Sequence, residues 1–141
     1  MPGIGLKTSL LFISIYLCSL SSKDNHSAMH HDPAQPDFIT CWPNLAQPRL
    51  GAAVLSASDE FFAPCERLLK PEEPVFIPDH YEAQGDWMDG WDTRRERSPG
   101  HDACVIRLGL PGWMKGLDSD TRHFTGTYPK AASLDACYDD R

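Results

Sequence analysis

The sequence predicts an all-β fold, a jelly-roll β-sandwich, on three observations. Its clearest apolar run is short and β-branched, with Val105 and Ile106 at its centre. Prolines number 12, and together with glycines they separate the apolar runs. No helical periodicity continues beyond Leu69. Proline fixes φ and removes a backbone donor, so it ends helices and is confined to strand edges. Short strands between such turns pack as sandwiches.

Taken in order, residues 1–22 carry Lys7, an apolar run over 10–20 and small residues at Ser19 and Ser21. They read as a secretory signal cleaved after Ser21, or as a misassigned N-terminus with no targeting meaning. The run is short for a membrane span, which takes about 20 apolar residues. Residues 23–44 read as a flexible linker, and its His26, His30 and His31 as solvated rather than metal-binding. The globular part is expected over 45–141. Residues 51–58 predict a strand, Pro64 opens a helical turn ending near Leu69, and Val75-Phe76-Ile77 is a β-type run stopped by Pro78. Residues 104–110 are the clearest strand. Pro111-Gly112 should turn the chain into a second strand over 113–120, with Gly116 a weak point or bulge, making a hairpin. A third strand is expected over 131–137.

The length suits one domain. A formal net charge of -7 excludes nucleic acid as a partner, since phosphate binding needs a basic surface. Locally, Arg94, Arg95 and Arg97 make a basic cluster suited to a small anion. The five cysteines contain no CxxC pair, which argues against a thiolate zinc site. They read as isolated thiols serving as small core hydrophobes, although four could pair if Cys18 left with a leader.

Three polar clusters fall in expected loops, where a rigid sandwich places its sites. Asp59 and Glu60 precede Phe61-Phe62; they are either pKa-shifted acids or caps of the following turn. Trp87, Asp89, Trp91 and Asp92 lead into the arginines, which present either a fork for a carboxylate or a solvated edge. His101-Asp102 and Asp120 with His123 bracket the expected hairpin. They are either acid–base pairs, or metal ligands, or turn caps with surface histidines. Nothing in the residues requires a cofactor, and a divalent metal stays open.

The runs Arg49-Leu50-Gly51, Ser58-Asp59-Glu60-Phe61-Phe62-Ala63-Pro64, Leu68-Leu69-Lys70-Pro71, Trp87-Met88-Asp89-Gly90-Trp91, Thr93-Arg94-Arg95, Pro99-Gly100-His101-Asp102, Arg107-Leu108-Gly109 and Asp120-Thr121, with His123-Phe124-Thr125-Gly126, resemble the allantoicase family. Their order and spacing agree over residues 45–137, roughly two-thirds of the chain. Departures stand at Ala103, Ser119 and Thr127.

The resemblance implies a tandem of two galactose-binding-domain-like jelly rolls, of which this chain holds the first repeat only. It implies hydrolysis of allantoate, a small anionic ureide, to ureidoglycolate and urea, by an intracellular homo-oligomer. On that reading Arg94 or Arg95 clamps the carboxylate, with Trp87, Trp91 and Glu60 lining the site. His101 or His123 protonates the departing urea, and Asp89, Asp102 or Asp120 orients the histidine or activates water. The alternative is a non-catalytic jelly-roll fragment or binding module derived from the same family.

Overall fold

The computed structural model describes residues 12–18, 36–95, 97–125, 128–129 and 131–138, the first segment by its backbone alone. The remainder of the expected leader, the histidine-bearing part of the linker and Thr127 lie outside the described residues. The described chain is mostly strands with few helical turns, consistent with an all-β class. Among the described residues, no helix is long and apolar enough to cross a membrane.

The elements are β1 (Phe12–Cys18), α1 (Asp37–Cys41), a 3-10 turn (Pro48–Leu50), β2 (Ala53–Ala57), a second 3-10 turn (Cys65–Leu69), β3 (Tyr81–Glu82), β4 (Gly85–Asp86), β5 (Cys104–Arg107) and β6 (Trp113–Asp120). They form three antiparallel two-stranded ladders, β1–β6, β2–β5 and β3–β4. α1 is a single turn in the stretch expected as linker, and Phe38 lies on β6: a Cβ at Gly116 would come within 2.6 Å of the Phe38 ring.

Strand β5 alternates as half-buried strands do. Cys104 and Ile106 point inward while Arg107 is exposed. Val54 pairs with Ile106 and Ser56 with Val105, so Leu55 is the extra residue of a bulge and stands 45% exposed. The core gathers Leu45, Cys65, Leu68, Leu69, Trp91, Cys104 and Ile106 beneath this ladder. Cys65 and Cys104 belong to that core, as small hydrophobes do, but they are not isolated. Their thiols interact with each other, and that interaction together with burial pushes the Cys65 thiol above its ordinary range. All four cysteines whose side chains are described are free.

Three expected elements differ. The hairpin of 104–120 does not form: β5 pairs with β2, and β6 with β1. The ladder stops at Arg107 because the chain then presses onto the first 3-10 turn. A Cβ at Gly109 would overlap the Leu50 carbonyl oxygen and lie 2.5 Å from Gly51 Cα, where Gly51 takes φ +93°. Val75-Phe76-Ile77 is not a strand. Prolines at 74 and 78 remove donors on either side, and the Val75 N–H donates to the Asp89 carboxylate instead of a neighbouring strand. Residues 131–137 are irregular and mostly exposed, since only Leu134 is a bulky side chain able to reach the core. Near Gly116, by contrast, the β1–β6 register does shift, leaving Lys115 unpaired.

Candidate functional site

The expected site residues fall into three neighbourhoods. In the first, the end of β2 is tied to the start of β5. Ser58 N–H donates to the Ala103 carbonyl at 2.8 Å, and Ala103 N–H donates back to Ser58 Oγ at 3.0 Å. Ser58 Oγ then donates to Asp102 Oδ1 at 2.9 Å, and Thr93 Oγ1 donates to Asp102 Oδ2 at 2.7 Å. Beside this network Asp59 accepts from the Arg94 backbone N–H at 2.6 Å and from Arg94 Nε and Nη2 at 3.1 and 2.9 Å. Burial opposes the charge on Asp59, but the Arg94 bonds outweigh it and hold the carboxyl below its usual range. Trp91 is fully buried and its Nε1 donates to the Asp59 carbonyl at 2.7 Å. Glu60 Oε1 accepts from Cys65 N–H at 2.8 Å, which secures the second 3-10 turn. Trp91, Glu60, Arg94 and Asp102 are thus occupied in holding two loops together, while His101 and Arg95 are exposed.

Asp92 lies in the same region, bridged through its backbone to Ala63. Burial, with the nearby Asp59 charge, pushes its carboxyl up to about 6. A carboxyl raised in the folded state favours folding when protonated. That contribution is complete below about pH 4 and is lost as pH rises through about 6. Asp92→Asn is therefore expected to match wild-type Tm at about pH 4 and exceed it at neutral pH. A constant Tm difference across that range would show that Asp92 does not titrate as described.

The second neighbourhood is a cavity of about 380 Å³ between α1, the Pro48–Leu50 turn, the segment after Leu69 and the end of β6. Asp120 lines it with Arg122, Lys70, Arg49, Gln47 and Asp118. Lys70 Nζ pairs with Asp89 Oδ2 at 2.7 Å, which buries Asp89 behind the cavity wall. Arg122 is held by Asp120, through its backbone N–H at 2.8 Å and Nε at 2.6 Å, and by Glu73 at 2.7 Å. Burial, and then the Asp120 charge, raise the Asp118 carboxyl.

In the third, Trp87 packs under the Arg67 guanidinium at 5.5 Å and against the edge of His80. Arg67 bonds Glu82 at 2.6 Å and the Met88 carbonyl at 2.7 Å. His123, one residue beyond Arg122, has φ +70° and stacks on Phe76 at 6.0 Å. Among the described residues no three of His, Cys, Asp or Glu gather in a set able to hold a metal ion.

The structure thus brings Asp120 to the cavity, sets Asp89 behind its wall and puts His123 beside the cavity residue Arg122 in the chain. It places His101, Asp102, Arg94, Arg95, Trp91 and Glu60 elsewhere. Gln47, Arg49 and Lys70 were absent from the expected site, whereas Asp118 and Arg122 stand in the same polar stretch as Asp120 and His123. Arg49 and Lys70 both stand in runs that carry the family resemblance, and that was the available signal.

Residues 43–141 match the family model described as the Allantoicase repeat. A probable allantoicase 2 of Burkholderia mallei (strain ATCC 23344) is 61% identical over 109 residues, 77% of this chain and 32% of that protein. A probable allantoicase of Ralstonia nicotianae is 58% identical over 107 residues, 76% of this chain and 32% of that protein. One from Acinetobacter baumannii (strain AYE) is 48% identical over 110 residues, 77% of this chain and 33% of that protein. The chain spans about a third of the length of these curated relatives. No solved structure matches it.

Proposed function

The chain belongs to the allantoicase family, and on that premise we propose that it is one jelly-roll repeat of an enzyme that hydrolyses allantoate to ureidoglycolate and urea. The observation that carries the reading is the meeting of carboxylates and cations in the cavity beside β6, within the matched residues. Hydrolysis adds water's hydroxyl to the central carbon of allantoate, breaks one C–N bond, and delivers a proton to the departing urea nitrogen. Asp120 and Asp118 supply carboxyl groups for accepting and returning that proton, and His123 stands next in the chain to Arg122. The Asp102 network and the Asp59–Arg94 pair hold the adjoining loops.

Purified chain incubated with allantoate should release urea, and Asp120→Asn should lower kcat/KM by about 100-fold, the ordinary contribution of a positioned acid or base. His101→Ala should leave turnover unchanged, because His101 is exposed and Asp102 is bonded to Ser58 and Thr93. Undiminished turnover in Asp120→Asn would remove the cavity from the mechanism. A second reading, a non-catalytic module that binds without turnover, is favoured by the ion pairs that already occupy Lys70 and Arg122. A folded chain that binds allantoate but releases no urea identifies it.

A further inference from the structure

The two ion pairs in the cavity wall are not alike. Lys70 Nζ and the Val75 N–H both donate to Asp89 Oδ2, at 2.7 and 2.9 Å, so residues 71–74 form an arch tied at both ends to one buried carboxylate. Pro71 and Pro74 fix φ at either foot of the arch, and Glu72 and Glu73 stand between them in the cavity wall. The Lys70–Asp89 pair is scaffold, since breaking it would strand a buried charge. The Arg122–Glu73 pair is open to water. Nη1 and Oε2 lie 2.7 Å apart, and the two side chains are 55% and 79% exposed. An ion pair so exposed contributes little to stability and exchanges readily.

Arg122 is nevertheless held still. Asp120 accepts from its backbone N–H at 2.8 Å and from Nε at 2.6 Å, and Nη2 pairs with the same carboxylate. One side of the guanidinium is thus fixed by a residue two positions away, and Nη1 is left to the arch. Arg122 and Glu73 both line the cavity. A carboxylate arriving there meets a cation that is already oriented. It displaces only a solvated glutamate side chain, from an arch whose backbone need not move. Exchanging one carboxylate for another leaves the number of carboxylates on Arg122 unchanged, with Lys70 and Arg49 set against Asp118, Asp120 and Glu72 around it. A neutral ligand gains nothing from the exchange.

We infer that Glu73 is a built-in occupant of the cavity's anion position, an autoinhibitory contact in which its carboxylate holds Arg122 Nη1 until the carboxylate of a small ligand replaces it. The inference rests on the ureide reading above for the identity of the ligand, and adds the cation that takes the ligand carboxylate and the group that competes for it. A guanidinium gives a well-placed carboxylate two parallel N–H bonds. A ligand that fits the cavity therefore competes on favourable terms with a side chain that is mostly in water.

The test is calorimetric titration of the full chain with two ureido acids, allantoate and N-carbamoylglycine, and with N-carbamoylglycinamide, the neutral amide of the second. Glu73→Gln removes the competitor. It should tighten both acids by about twofold to fivefold, the range an exposed ion pair supports, and leave the amide unchanged. Arg122→Gln should weaken both acids by about tenfold or more and abolish the gain from Glu73→Gln in the double variant. Unchanged or weaker acid binding in Glu73→Gln, an equal gain for the amide, or acid binding that survives Arg122→Gln overturns the inference and leaves the ureide reading intact. A Glu73→Gln gain for N-carbamoylglycine, in a chain that neither binds nor hydrolyses allantoate, overturns the allantoate reading and leaves the inference. A chain that binds neither acid, with or without Glu73→Gln, overturns both. Should a variant fail to fold, NMR of the wild-type chain decides. The Glu73 carboxyl carbon signal must move when either acid is added and stay still with the amide, and a fixed signal overturns the inference.

Discussion

Trp91→Ala should cost about 3–5 kcal/mol of folding stability, the largest loss expected of any single change in this chain. Trp91 is fully buried, in the same cluster as Leu68, Leu69 and Ile106. Removing the indole empties space that the surrounding backbone cannot fill, because the second 3-10 turn and the β2–β5 ladder fix the cavity walls. It also removes the N–H that satisfies the Asp59 carbonyl. A domain of this size is stable by about 5–15 kcal/mol, so the variant should melt roughly 10 °C or more below wild type. Urea denaturation of Trp91→Ala beside Trp91→Phe separates the two contributions. The phenylalanine variant retains most of the packing and loses only the bond to Asp59, so it should fall between the other two. A loss under about 1 kcal/mol in Trp91→Ala would mean that the ring is not a core anchor.

Local chemistry was readable in the sequence and long-range pairing was not. The β-branched run at Val105-Ile106 announces a strand, and Cys104–Arg107 is one. Its partner is β2, some fifty residues earlier, and nothing in Pro111-Gly112 reveals that Gly109 will be drawn onto Leu50 and Gly51. The same limit governs the site. Arg94 has the composition of an anion clamp, yet its guanidinium is taken by Asp59, 35 residues away in sequence. Asp120 was recognisable as a polar loop-end residue. Its company of Gln47, Arg49 and Lys70 arises only when β6 is laid beside the turn at Pro48–Leu50. The family resemblance was legible for a different reason. It rests on ordered runs along the chain, and runs survive without knowledge of which of them touch.

Asp102→Ala is the second large effect and the one that separates architecture from chemistry at the His101-Asp102 pair. Asp102 is 3% exposed and accepts from two hydroxyls, Ser58 Oγ and Thr93 Oγ1, on two different loops. Hydrogen bonds to an ionised acceptor contribute about 1.5–3 kcal/mol each. Alanine leaves both hydroxyls facing a void, and a loss of about 3 kcal/mol is expected. Asp102→Asn retains the shape and one acceptor oxygen, so it should lose less. The decisive measurement is a double-mutant cycle with Thr93→Val, because residues in one network couple and distant ones add. Thr93→Val should destabilise wild type and have little further effect in the Asp102→Ala background. Full additivity would dissolve the network. Since both Asp102 oxygens face Ser58 and Thr93, His101→Ala should leave stability unchanged, whereas an acid–base dyad requires the two to act as a unit. Equal stability losses in His101→Ala and Asp102→Ala would restore the dyad and return the search for the reacting groups to that loop.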